Sequence, residues 1–134
     1  MKKRINHEKI FEKEVANAAL LKKMRYYKIP DTHMVNKYNR NSHYEEKRPF
    51  DGVLVTRFGN ALIECKYGNN KLLPHQEDNK QEIDKINQTF FVLTKKYTKT
   101  KGWHYIVQHI NDKWIFNDII KMVRHVEYLM FIKP

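Results

Sequence analysis

A β-hairpin is predicted within residues 48–76, which read RPFDGVLVTRFGNALIECKYGNNKLLPHQ. Residues 51–57 and 61–67 are rich in apolar and β-branched side chains, as strands usually are. Gly59-Asn60 lies between them and is a favourable pair for a tight turn. The simplest turn uses these two residues alone, and it determines which residues of the two strands face each other.

The second predicted strand is apolar at first but ends in two charged residues, Glu64 and Lys66. Side chains alternate along a strand with a period of two, so both are predicted to lie on one face. With a two-residue turn, Val55 faces Glu64, and Asp51 lies just beyond Lys66 on that same face. A bulge or a wider turn would bring Asp51 and Glu64 closer together.

Two carboxylates that converge at the end of a strand form a site of hard oxygen ligands, which suits Mg²⁺ or Mn²⁺. Lys66 beside them is placed to orient an attacking water or to stabilise charge on a phosphate. The alternative interpretation is a surface-facing Glu–Lys pair at the edge of a sheet. The spacing alone is compatible with both interpretations.

Hydrophobic periodicity and the residues that favour helix and strand ends predict the other elements. They are a helix over residues 7–27, a helix over residues 74–88 that begins at Pro74, a buried strand over residues 89–93, a hairpin of residues 103–110 and 114–116, and a C-terminal helix capped by Asn117. The order α-β-β-α-β-β-β-α predicts one α/β domain over residues 1–134, with helices on a central mixed sheet. Trp103, Trp114 and residues 89–93 are expected in the core.

The charge of the chain favours a polyanionic partner. There are 26 Lys and Arg residues against 15 Asp and Glu, a formal net charge of +11. A protein from a generally lysine-rich proteome is the alternative explanation. The single cysteine, Cys65, excludes an intrachain disulfide, and no apolar run approaches the roughly 20 residues of a membrane span. We therefore expect no membrane association and a cytoplasmic location, in a bacterium or in the host cell of a phage.

Asp51 followed by Glu64-Cys65-Lys66 at the end of the next strand resembles the core of the PD-(D/E)XK nucleases. Glu14 in the preceding helix and Gln76 at the start of the following helix match further positions of that superfamily. The ordered set is most similar to the RecU-type Holliday junction resolvases, over roughly residues 11–95.

The resemblance implies a restriction-endonuclease-like core and a Mg²⁺-dependent DNA endonuclease, with Mn²⁺ as a substitute, that works as a homodimer on branched DNA. It implies that Asp51 and Glu64 are metal ligands and that Glu14 is an auxiliary ligand, although Glu12 competes with Glu14 for the metal side of the helix. Lys66 would orient water and stabilise charge. Gln76 would hold the water or the phosphate, and its alternative role is a hydrogen bond within its own helix.

Basic residues near aromatic ones mark candidate DNA contacts, because nucleic-acid grooves combine cations with stacking faces. A tyrosine-rich loop and the lysine-rich run over residues 95–101 both have this character. The predicted DNA-binding residues are Arg40, Lys47, Arg48, Lys71, Lys95, Lys96 and Lys99.

Other functions are compatible with the sequence. One is a non-catalytic DNA-binding module on the same fold. Another is a phage or VRR-type nuclease that acts on flaps, duplex or single strands. An enzyme that acts on a phosphate outside nucleic acid is a third, and the positive charge argues against it. The sequence leaves the DNA structure, the oligomeric state and the number of metal ions open.

Overall fold

The computed structural model describes residues 5–30, 50–85 and 89–132 of the chain. Within these ranges the chain forms three α-helices and six β-strands. In chain order they are α1 (His7–Leu21), β1 (Arg25–Lys28), β2 (Gly52–Thr56), β3 (Gly59–Tyr67), α2 (Pro74–Lys85), β4 (Phe90–Thr98), β5 (Gly102–His109), β6 (Asp112–Phe116) and α3 (Ile119–Phe131).

The six strands form one sheet whose spatial order follows the chain order from β1 to β6. Neighbouring strands are antiparallel except β3 and β4, which run parallel. Parallel neighbours need a crossover connection, and α2 lies within it. The predicted α/β class, with a mixed central sheet and helices against it, is confirmed.

The predicted helix over residues 7–27 is too long, because the chain leaves α1 after Leu21 and then forms β1. Lys23 adopts a positive φ of 61°, and the amide of Met24 donates to the carbonyl of Ala19 where the helix closes. Every residue of β1 then pairs with β2. The helical hydrophobic period continues to Met24, but pairing with a neighbouring strand outweighs that local preference. The element order therefore gains one strand.

The β2–β3 hairpin turns at Arg57-Phe58 and not at Gly59-Asn60, so the predicted register is wrong. Thr56 pairs with Gly59, and its hydroxyl donates to the carbonyl of Gly59 at 2.8 Å. The same hydroxyl accepts from the amide of Phe58 at 3.1 Å. Gly59 has a φ of 130°, a backbone conformation that residues other than glycine rarely adopt. The threonine hydroxyl therefore stabilises a turn that lies two residues earlier than predicted.

Two other boundaries differ from the predictions. Asp118 caps α3 in place of Asn117, since its Oδ1 accepts from the amide of Ile120 at 2.7 Å. The strand predicted over residues 89–93 continues as β4 to Thr98, because it pairs with β5 along most of that length. The helix predicted over residues 74–88 is described as α2 over Pro74–Lys85, and residues 86–88, where its predicted end falls, lie outside the described residues.

A hydrophobic core lies between one face of the sheet and the helices α1 and α3. Its buried members include Phe11, Val15, Leu54, Ala61, Ile63, Cys65, Leu93, Val107, Met122, Val123 and Val126. The expectation that residues 89–93 are buried is confirmed, and Trp114 packs against the core. Trp103 does not belong to the core, since 49% of its surface is exposed. It lies near the start of β5, close to the end of the sheet.

None of the helices in the three described ranges has the length and apolar character that crossing a bilayer requires.

Candidate active site

Asp51 and Glu64 come together at the end of the sheet where β2 begins. The last pair of the β2–β3 ladder is Gly52 with Ile63, and the amide of Asp51 donates to the carbonyl of Ile63 at 2.9 Å. Asp51 therefore lies beside the stretch of β3 that contains Glu64. Asp51 Oδ2 also accepts from the amide of Cys65 at 2.7 Å, so the carboxylate satisfies the β3 amide beyond the end of β2. The true register brings the two carboxylates closer than the predicted one.

Glu64 and Lys66 share the face of β3 opposite to the core, as the period of two predicts. Their exposed fractions are 3% for Glu64 and 7% for Lys66. The interpretation as a surface-facing Glu–Lys pair is therefore wrong. Charged side chains are rarely buried to this extent unless they are paired or used.

Gln76 joins α2 to the same site through two hydrogen bonds, one at the start of its own helix and one to Glu64. Its Oε1 accepts from the amide of Leu73 at 2.9 Å, which satisfies a free donor at the start of α2. Its Nε2 donates to Glu64 Oε1 at 3.2 Å. One amide side chain thus fixes the start of the helix and holds the carboxylate.

Lys66 lines a cavity of about 470 Å³ beside α2, on the face of the sheet opposite to the core. Most of the charged residues around this cavity are cationic, namely Lys66, Lys71, Lys96 and Lys113 against Glu77. A cleft with one dominant sign of charge raises the local concentration of ions of the opposite sign. The cavity is therefore suited to an anionic ligand.

The two candidate helix carboxylates have different surroundings. Glu14 Oε1 accepts from Lys95 Nζ at 2.9 Å. Glu12 is buried, accepts a hydrogen bond from the hydroxyl of Tyr26 and forms an ion pair with Lys28 at 3.4 Å. Because Tyr26 packs directly over Gly52, next to Asp51, Glu12 is the helix carboxylate on the Asp51 side.

The pKa values of two neighbouring groups agree with this placement of Glu12. Burial raises the pKa of the Cys65 thiol well above its usual value, and the carboxylates of Asp51, Glu12, Glu64 and Glu8 raise it further. Burial likewise raises the pKa of Tyr26 far above its usual range, with Cys65, Glu12 and Asp51 adding to the rise. Negative charge is therefore concentrated around Cys65, and Glu12 contributes to it.

Among the described residues, no three side chains of His, Cys, Asp or Glu lie close enough together to hold a metal ion. Mg²⁺ is commonly bound through one or two protein carboxylates, with water and substrate phosphates as the other ligands. Asp51 and Glu64, on adjacent strands, supply two carboxylates of this kind. The residues present fit Mg²⁺ bound together with a phosphate substrate.

The predicted DNA-binding residues divide into three groups. Lys71 and Lys96 line the cavity beside Lys66, together with Lys113, which the sequence-based prediction did not include. The alternation of side chains along β6 could have predicted the position of Lys113. Its neighbour Trp114 packs against the core, so Lys113 lies on the opposite face. Lys95 contacts Glu14, and Lys99 is exposed in the turn after β4. Arg40, Lys47 and Arg48 lie outside the described residues.

Asp51, Glu64, Lys66 and Gln76 all lie at one end of the sheet. The shared face of β3, the hydrogen bond from Gln76 to Glu64 and the register at Asp51 bring them there. Among known proteins, no protein-family model and no curated protein matches the chain.

Proposed function

We propose that the chain is a Mg²⁺-dependent DNA endonuclease with a restriction-endonuclease-like core of the PD-(D/E)XK type. The observation that carries the proposal is the burial of Asp51, Glu64 and Lys66 at the end of one sheet, next to a cavity lined by lysines. Buried ionisable groups that converge beside a cleft are typical of sites that do chemistry. The excess of positive charge favours a nucleic acid over a small phosphate as the substrate.

In the proposed reaction, water forms a bond to the phosphorus of a phosphodiester, and one bond from phosphorus to a sugar oxygen breaks. Asp51 and Glu64 hold Mg²⁺, with Glu12 rather than Glu14 as the helix carboxylate beside them. When bound, Mg²⁺ supplies Lewis-acid stabilisation of charge on the phosphate oxygens. The ammonium group of Lys66 orients the water and stabilises negative charge that develops on the phosphate. Gln76 keeps Glu64 in position through its hydrogen bond.

The substrate we propose is branched DNA, cut by a homodimer. A four-way junction presents two strands for symmetric cutting, and a two-fold dimer supplies two sites in matching orientation. A non-catalytic DNA-binding module is the second candidate. It is favoured by the net charge of +11 and by the lysines that line the cavity, which binding alone would use.

A cleavage panel separates these candidates. We expect the protein to cut branched DNA, whether a four-way junction or a flap, in Mg²⁺ or Mn²⁺ faster than an unbranched duplex or a single strand. Ca²⁺ should support binding without cutting. Equal rates on junction and duplex would remove the branched-DNA substrate from the proposal. DNA binding without cutting in any of the three metals would leave the non-catalytic module as the function.

The cavity lysines should govern the salt dependence of DNA binding. Replacement of Lys71, Lys96 and Lys113 together by Gln removes three charges from the cavity wall. Counterion release predicts that the slope of log affinity against log salt becomes shallower by about 0.9 for each phosphate of duplex DNA that the variant no longer neutralises. Fluorescence anisotropy over a salt series measures that slope.

The matched control replaces the exposed lysines Lys13, Lys22 and Lys121 by Gln, which removes the same charge from other surfaces. Its slope should stay close to that of the wild type. Equal slopes for both triple variants would contradict the cavity as the DNA-binding surface.

A further inference from the structure

Four aromatic rings form a continuous row at the end of the sheet, and we refer to this row as the aromatic strip. Its members are His7, Tyr67, Trp103 and Tyr97. The ring centroids of His7 and Tyr67 are 4.6 Å apart, and those of Tyr67 and Trp103 are 6.1 Å apart. Tyr97 lies 5.3 Å from Trp103 on the other side. The strip therefore crosses β3, β4 and β5 and reaches the start of α1.

The strip is open to solvent although its rings are large. Trp103 is 49% exposed and Tyr97 is 57% exposed. Lys95 Nζ lies 5.1 Å from the centre of the Trp103 ring, and the exposed residues Lys99 and Lys101 are in the adjacent β4–β5 turn. Grouped, exposed aromatic rings are typical of binding surfaces, and cations beside them favour an anionic partner.

The strip adjoins the candidate active site but lies on the other face of the sheet. Tyr67 follows Glu64 by three residues of β3, about 10 Å along the strand. A second cavity, of about 460 Å³, is lined by His7, Tyr67 and Asn70. Asn70 also lines the cavity of Lys66, so the two cavities meet at the turn after β3.

A ligand that reaches from Lys66 to the strip has to bend around this end of the sheet. Duplex DNA is stiff over such distances, since its persistence length is about 150 base pairs. A single strand bends freely, and its bases stack on aromatic rings whatever their sequence. The placement of the strip therefore suits unpaired nucleotides and not a continuous duplex.

We propose that the aromatic strip binds the bases of an unpaired strand that leaves the candidate active site. This inference rests on the proposed function and deepens it, since it specifies that an unpaired strand at the branch of the DNA is the part of the substrate that the strip binds. Trp103 and Tyr97 stack on the bases, while Lys99 and Lys101 of the β4–β5 turn attract the backbone of that strand.

The test measures affinity in Ca²⁺ for three DNA molecules, namely a blunt duplex, the same duplex with a single-stranded tail, and that duplex with an abasic tail. The wild type should bind the base-containing tail about tenfold more tightly than the abasic tail, which carries the same charge. Replacement of Trp103 and Tyr97 by Ala should remove this preference without changing affinity for the blunt duplex. Trp103→Phe should keep most of the preference, because a stacking face remains.

Tyr128→Ala is the control, since Tyr128 is an equally exposed aromatic residue on α3, and it should leave all three affinities unchanged. Equal wild-type affinity for the two tails would overturn the role of the strip but would not contradict the proposed function. Absence of any DNA binding would overturn both the strip and the proposed function. A retained preference for the base-containing tail in a protein that never cuts would support the strip and contradict the nuclease.

Discussion

Glu64→Gln should abolish DNA cleavage and leave DNA affinity nearly unchanged. The substitution keeps the shape of the side chain, and the new amide oxygen still accepts the hydrogen bond from Gln76. It removes the negative charge that we propose holds Mg²⁺. Removal of one electrostatic partner from a preorganised site typically costs about 10²–10³-fold in rate, and the loss of a metal ligand should reach at least this range.

Asp51→Asn should have the same effect on cleavage, with an equal or higher melting temperature in the absence of metal. Like charges on neighbouring strands repel each other, so removal of one of the two charges relieves repulsion in the metal-free protein. The substituted side chain retains an amide oxygen that can accept from the backbone amide of Cys65.

Cleavage rates, Mn²⁺ titration by calorimetry and thermal unfolding of the two variants measure these effects. The matched control is Asp78→Asn, which removes an exposed carboxylate from α2 and should change none of them. Undiminished cutting by Glu64→Gln would end the nuclease assignment for this site. Loss of cutting together with loss of folding would indicate a structural role for the carboxylate.

Gly52→Ala should destabilise the protein by about 1–3 kcal/mol, the usual cost of overpacking. A Cβ atom at this position would overlap the hydroxyl end of Tyr26 and would lie 2.6 Å from the backbone carbonyl oxygen of Tyr27. Gly52 pairs with Lys28 in the ladder between β1 and β2, so this carbonyl moves only if the two strands separate. The shift should also disturb the hydrogen bond from Tyr26 to Glu12.

Urea unfolding gives the free energy of unfolding for this variant. Tyr26→Ala combined with Gly52→Ala should recover part of the stability, because the clash with the ring is removed while the clash with the backbone remains. Gly68→Asn is the control, since a Cβ atom at Gly68 meets no atom within 4 Å and asparagine tolerates its φ of 64°. Wild-type stability of Gly52→Ala would contradict the close approach of β1 to β2.

The local part of the candidate site could be predicted from the sequence. The period of two in a strand was enough to put Glu64 and Lys66 on one face and Cys65 in the core. Pro74 marked the start of the helix that carries Gln76. These features depend on residues a few positions apart, whose relative directions follow from backbone geometry.

The tertiary structure decided the features that depend on distant partners. Residues 25–28 form a strand because they pair with β2 along their whole length, although the helix predicted from the sequence extended to residue 27. The hydroxyl of Thr56 helps to place the turn that sets Asp51 beside the stretch of β3 that contains Glu64. The choice between Glu12 and Glu14 required the positions of Tyr26 and Lys95.

Trp103 shows the same division between local and distant causes. An isolated tryptophan in an alternating strand is expected in the core, and the pattern of β5 contains no signal against it. Its ring is half exposed because α1 begins at His7, at the edge of the aromatic strip, and within residues 5–30, 50–85 and 89–132 no helix packs over this end of the sheet. The sequence by itself determined the direction of each side chain along its own strand or helix. Only the tertiary structure decided which other elements cover each side chain, because burial depends on elements that are far away in the chain.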